Sequence, residues 1–495
     1  MARNPRRLGV GSTILVTLLI LAIIAVTGFI IWMCIDIVNM DSDVVTQPTS
    51  ASVALPTAAT EETEETVPPT TTEPPEPEHV VSTATISAQG DLLMHQPVFA
   101  TCRQSDGTYN FESIFKYLKD TVSAFDFAAV NLETTFGGDD YVYQGNPHFN
   151  CPDPLVDSVV DAGFDMLLTA NNHCGDTTAA GIKRTLEVVR GAGLETLGTQ
   201  SNDEEQKYSV IEVNDIKIGM VCYTYATGVT SDGRPALNGN AHLTEAGLVN
   251  YFMESNLDKF YAEVEQHLAD MEADGAEATM LFIHWGIEYQ TTENAKQNAI
   301  AQKLCDLGVD VIVGGHPHVV QPVELLESTL DPEHKTVCIY SLGNAVSNQR
   351  TGISSLFPAG YTEDGALFTV TFEKYSDGTV YLAGTDVIPT WVNMHQNNGP
   401  KEYNILPLVK EQEEQWQELY DLTDHNFSSC QKSYDRTMGI VGEGLAECQA
   451  YLEQAKADRE QYYYDLAFYP ERFEALEETV PETTGAMAEE TLAAA

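Results

Sequence analysis

A chain of 495 residues has room for one sizeable domain with appendages, or for two or three smaller domains. Its formal net charge of −49, from 25 basic and 74 acidic side chains, argues against nucleic-acid binding and against docking on anionic lipid. A polyanionic substrate would have to be met by a metal ion or by a local basic patch.

Arg3, Arg6 and Arg7 precede residues 8–35, a run without a charged side chain. That run exceeds the roughly 20 residues needed to cross a bilayer and is too long for a signal-peptide core. Basic residues before it and Asp36, Asp41 and Asp43 after it predict a cytoplasmic N-terminus at residues 1–7. The expectation is a single-pass, uncleaved anchor in the cell membrane with the main domain extracellular. Residues 36–79 are rich in Pro, Thr and Glu and contain no Lys or Arg. Such a segment cannot bury enough apolar surface to fold, which predicts an extended, disordered stalk. An external location permits disulfides, and of the nine cysteines Cys430 and Cys448 are candidates to pair across two helices. Cys222 and Cys338 sit in apolar runs and read as small core residues.

From residue 80 to 348, apolar strand-like runs alternate with helical patterns. Strands are expected near 82–88, 127–131, 166–169, 216–223, 279–284, 309–313 and 336–341. Helices are expected near 111–122, 154–162, 177–192, 257–273 and 294–307. This alternation implies an α/β domain with a layered, largely β core. Residues 366–372 and 379–387 alternate around Ser376-Asp377-Gly378, the pattern of a hairpin, and residues 349–410 read as a β appendage of the same domain. Residues 411–473 are acidic, aromatic and helical, expected as two or three helices packed on the core or on a partner. Residues 474–495 read as a disordered tail.

Five strands end in a polar cluster. These are Gly90-Asp91, Asn131-Leu132-Glu133, Asn171-Asn172-His173, His284 through Tyr289, and His316-Pro317-His318. Open α/β sheets bind ligands beyond the carboxyl ends of their strands, so these loops are expected to converge. The pooled carboxylates, carboxamides and imidazoles suit a borderline divalent ion such as Zn, Mn or Fe, with one or two ions bound. His173 is placed to protonate a leaving group, and Asp176, three residues on, to orient it.

Taken with Tyr340-Ser341-Leu342-Gly343-Asn344, these motifs resemble the CapA family of poly-γ-glutamate capsule biosynthesis proteins, over residues 82–345. The resemblance implies a calcineurin-like metallophosphoesterase fold, a β-sandwich flanked by helices with a two-metal site at its strand ends. It implies that Asp91 and His318 serve a first metal, Glu133 bridges, and Asn172, His284 and His316 serve a second. His173 takes the catalytic position. Asn131, Trp285, Glu288, Tyr289 and Asn344 are expected to contact substrate. Where the phosphoesterases carry Asp-x-His, this chain has Asp91-Leu92-Leu93, with His95 the nearest imidazole; Glu133 stands where the bridging aspartate would be, and Ala345 where an aromatic is expected. The His316 side is therefore expected to hold the fuller donor set.

Three functions are open at this point. One is a surface protein that assists synthesis, transfer or attachment of poly-γ-glutamate or a related exopolymer. A second is an extracellular metal-dependent hydrolase of phosphoesters or of an amide-linked polymer. The third is a non-catalytic scaffold for membrane synthase subunits.

Overall fold

The computed structural model describes residues 76–357, 359–396 and 401–470. The expected anchor, nearly all of the expected stalk and the expected C-terminal tail lie outside the described residues. Among the described residues no helix is long and apolar enough to cross a membrane.

Strands β1 (Val80–Leu92), β2 (Phe127–Asn131), β3 (Met166–Leu168) and β4 (Glu195–Leu197) run parallel and begin a first sheet. The chain then builds a second sheet, starting with β5 (Tyr208–Val213) and β6 (Ile216–Tyr225). A small hairpin follows, β7 (Gly228–Val229) with β8 (Pro235–Ala236). The second sheet is completed by β9 (Tyr251–Phe252), β10 (Ala278–His284), β11 (Val311–Gly315), β12 (Val323–Glu327) and β13 (Lys335–Ile339). The chain returns to the first sheet through β14 (Asn344–Val346), β15 (Asp364–Tyr375), β16 (Val380–His395) and β17 (Glu402–Pro407).

Side-chain alternation along these strands sets the layers, because successive residues of a strand point to opposite faces. Ala84, Ile86 and Ala88 of β1 share an inter-sheet core with Met280 and Phe282 of β10. Ala128 and Val130 of β2 turn the other way, onto the helices Glu112–Phe115 and Leu155–Asp161. Leu281 and Ile283 of β10 likewise turn outward, onto the helices Leu257–Ala273 and Ala295–Asp306. The result is a mixed α/β fold in four layers, helix, sheet, sheet, helix. The hairpin around Ser376-Asp377-Gly378 is built into the first sheet, with β15 paired antiparallel along β1 from Val80 to Gln89.

The C-terminal region holds two short helical turns, Lys410–Gln415 and Trp416–Leu419, and one 45-residue helix, Asp424–Phe468. Thr423 caps the long helix, its hydroxyl oxygen accepting from the Asn426 N–H. Its buried stripe, Cys430, Ser433, Thr437, Val441, Leu445, Cys448 and Leu452, recurs every three or four residues. A Cβ at Gly444 would lie 1.8 Å from the Val323 carbonyl oxygen, so only glycine lets this helix touch β12. The expected Cys430–Cys448 pairing fails here. Both residues stand on one helix, separated by a rise of about 27 Å, far beyond disulfide reach. All eight described cysteines are free and buried.

Candidate metal centre at the strand ends

The carboxyl ends of β1, β2 and β3 meet those of β6, β10 and β11, so the polar clusters of both sheets face one another. Two backbone devices aim them. The first is a bulge at Gly90, where the pairing of β1 with β2 skips from Gln89 to Asp91. A Cβ there would lie 2.0 Å from the Gly343 carbonyl oxygen, so the close approach of β1 to that loop requires glycine. The second is the loop after β11, in which His316 and His318 adopt left-handed backbone with φ of 96° and 57°. Such conformations are strained for a side chain with Cβ and persist only when the surroundings hold them. Here the Tyr289 N–H donates to the Pro317 carbonyl at 2.8 Å and Asn344 Nδ2 donates to the His318 carbonyl at 3.1 Å.

One oxygen each from Asp91 and Glu133 and one nitrogen of His318 lie within 4.8 Å of one another, all fully buried. His318 Nδ1 is 2.9 Å from Asp91 Oδ2, while Asn131 Nδ2 donates to Asp91 Oδ1 at 2.7 Å. Glu133 is the exception. It has no solvent exposure, and neither of its carboxylate oxygens has a hydrogen-bond partner. His284 Nε2 and His318 Nε2 each stop 3.8 Å from its Oε1. Burial first, then the charges of Asp91 and Glu288, push this carboxyl well above the usual carboxylate range. A buried, partnerless carboxyl is costly unless something absent from the protein answers it. A divalent cation among these donors would do so, and the mixed nitrogen and oxygen set suits one.

Beside this cluster, His284 Nε2 is 2.8 Å from Asn172 Oδ1. The His316 ring lies 4.9 Å from the His284 ring, its Nε2 is 3.2 Å from the Tyr225 hydroxyl, and its Nδ1 is buried without a partner. Burial, reinforced by neighbouring imidazoles, pushes both His284 and His316 well below the ordinary histidine range, so both are neutral at pH 7. Neutral imidazole is the ligand form. The Asp91–Glu133–His318 side gathers three donors within 4.8 Å of one another despite leucine at position 93. His95 does not enter it. Its Nδ1 faces the Leu93 carbonyl and the Asn348 N–H at 3.2 and 3.3 Å, its ring packs on Phe149 at 5.3 Å, and burial lowers it to about 4.

His173 sits at the edge of the site, with its side chain 13% exposed and its Nδ1 2.7 Å from Asp176 Oδ2. Asp176 also accepts from the Phe149 N–H at 2.6 Å. The Phe149 ring, 4.6 Å away, packs edge-on against the imidazole. With Nδ1 engaged, Nε2 is the nitrogen left to meet a reactant. A cavity of about 20 Å³, lined in part by Asp91, Asn131, His284 and Gly315, has room for one water.

Three residues expected to contact substrate are internal instead. Trp285 is in the core behind the second sheet, stacked on Tyr340, with its indole N–H donating to the Tyr340 carbonyl at 2.9 Å. Asn131 is spent on Asp91 and on Asn171, whose Nδ2 donates to it at 3.2 Å. Asn344 braces the loops through the carbonyls of His318 and Thr362 and through Gln349. Glu288 is exposed, and Tyr289 is half-buried with its ring 6.2 Å from that of His318. Tyr225, Phe149 and Gln349 were not among the expected site residues. Tyr225 carried a signal, since it ends an apolar strand as the other clusters do.

The fold and site define a class: a layered α/β protein with a buried carboxylate and imidazole cluster where the carboxyl ends of its parallel strands meet. Residues 85–349, just over half of the chain, match the family model described as bacterial capsule synthesis protein PGA_cap, and the chain belongs to that family. It is 27% identical over 322 residues to the capsule biosynthesis protein CapA of Bacillus anthracis, covering 64% of this chain and 69% of that one. It is 27% identical over 304 residues to the PGA biosynthesis protein CapA of Bacillus subtilis, covering 60% and 70%. A coarser likeness is to the solved NAD nucleotidase of Haemophilus influenzae, at 10% identity and a TM-score of 0.37, covering 75% of this chain and 68% of that one.

Proposed function

We propose that this CapA-like protein assists the synthesis, transfer or attachment of poly-γ-glutamate or a related exopolymer at the cell surface, using a divalent-metal site at its strand ends. Family membership supports the capsule role. The apolar run at residues 8–35, with arginines before it and aspartates after it, supports a membrane anchor with the folded part outside. The observation that carries the metal reading is Glu133, fully buried with both oxygens unanswered. Asp91, Glu133 and His318 would hold a Zn, Mn or Fe ion, with Asn172, His284 and His316 beside them. Such an ion supplies Lewis acidity and an ionised water when bound. It also offsets the repulsion between a polyanionic chain and a protein of net charge −49.

The hydrolase reading, a metal-dependent cut of a phosphoester or of an amide-linked polymer, is favoured by the His173–Asp176 pair. Asp176 fixes the ring through Nδ1. The exposed edge of His173 can then give a proton to a leaving group. His173→Ala is expected to leave metal content unchanged and to lower any hydrolysis of phosphoester or poly-γ-glutamate substrates by about 10²–10⁴-fold. Turnover that survives this substitution would remove His173 from the chemistry.

A further inference from the structure

We infer that Tyr225 is a positioning residue that accepts a hydrogen bond from Nε2 of His316 and so leaves the buried Nδ1 of that imidazole free to take a metal ion. The inference rests on the reading of the strand ends as a divalent-metal site. It adds a residue that acts through a ligand, from a strand end outside the five clusters.

Tyr225 is the last residue of β6, and its backbone is pinned. It pairs with Phe252 of β9, and the next residue, Ala226, donates its N–H to the Phe252 carbonyl at 2.7 Å. From this fixed point the hydroxyl reaches His316 Nε2 at 3.2 Å, with the two rings 4.8 Å apart. The opposite nitrogen, Nδ1, is buried and without a partner. A neutral imidazole carries a single proton. A bare lone pair at Nδ1 therefore requires the proton at Nε2, where the Tyr225 oxygen is the acceptor in place. The other tautomer would leave a buried N–H at Nδ1 with nothing to receive it, which is unfavourable. Partners of this kind, behind a metal-bound histidine, set its tautomer and orientation.

The test is a Zn²⁺ competition titration of the full-length chain against a chromophoric chelator. Tyr225→Phe removes only the hydroxyl and is expected to weaken one Zn²⁺ by about 10–100-fold, with a modest fall in the melting temperature of the metal-free chain from the stranded Nε2–H. The Tyr225→Phe, His316→Ala double variant is expected to bind no more weakly than His316→Ala alone, because the tyrosine acts through that ring. Unchanged Zn²⁺ binding in Tyr225→Phe, or losses that add in the double variant, would each overturn the inference. A wild-type chain that takes up no Zn²⁺ would end the metal reading and this inference together. Wild-type uptake with an unaffected Tyr225→Phe would end the inference alone.

Discussion

Exchanging His316 and His318 together for alanine is expected to weaken divalent-metal binding by at least about 100-fold. Outer partners of metal ligands alone are worth 10–100-fold, and this change deletes two inner donors. It also releases Asp91, whose Oδ2 loses its 2.9 Å contact with His318 Nδ1. The same account fixes a pH dependence. Glu133 is raised above its ordinary value, so its contribution to stability is present at low pH and lost as pH rises through its folded pKa. His284 and His316 are lowered, so their contribution is present above the ordinary histidine range and lost as pH falls through their folded pKa values. Below its raised folded pKa Glu133 carries a proton that a bound cation would displace, whereas the lowered His284 and His316 carry none. Metal uptake is therefore expected to release a proton and to tighten as pH rises, read by titration calorimetry in buffers of different ionisation enthalpy. Uptake that is independent of pH and buffer would contradict the assignment of Glu133.

The second large effect is structural. The long C-terminal helix is tied to the first sheet by Arg436, which makes two 2.6 Å hydrogen bonds to Asp364, a carboxylate that also accepts from the Ser433 hydroxyl at 2.6 Å. The Asp364 side chain is 2% exposed and that of Arg436 22%. Removing one partner of a buried pair strands the other, so Arg436→Ala is expected to cost about 3 kcal/mol in denaturant unfolding. Asp364 is already raised from 3.8 to about 6, by burial first and despite Arg436. Its stabilising contribution is full below about 3.8 and lost as pH rises through about 6. Without Arg436 the carboxyl rises further, and in acid it is neutral and needs no cation. The cost of Arg436→Ala is therefore expected to shrink between pH 8 and pH 5. An equal cost at both would show that packing, not charge, holds the helix.

Much of the site was legible because parallel strands are buried on both faces and read as apolar runs that end abruptly in polar residues. That grammar located Asp91, Glu133, Asn172, His284, His316 and His318, which the fold gathers at one end. What it missed has local physical reasons. His284 and Trp285 are neighbours at a strand end, and the two-residue period that turns one into the site turns the other into the core. Asn131 and Asn344 read as substrate contacts, yet each is consumed by holding another site element in place. Leu93 suggested a deficient first position, but the bulge at Gly90 sets Asp91 beside His318 without it. The C-terminal region was expected as two or three helices, and its main element is instead one 45-residue helix that runs unbroken through Gly439, Gly442 and Gly444. Gly444 is there because β12 passes too close for any Cβ.

The most direct measurement is the metal content of the full-length wild-type chain, purified without chelators and dialysed against Mn²⁺ or Zn²⁺. One or two tightly held divalent ions per chain are expected, lost in the His316→Ala, His318→Ala variant and retained in His173→Ala. A wild-type chain that stays metal-free would contradict the account, leaving Glu133 buried and unanswered with no ligand to explain it.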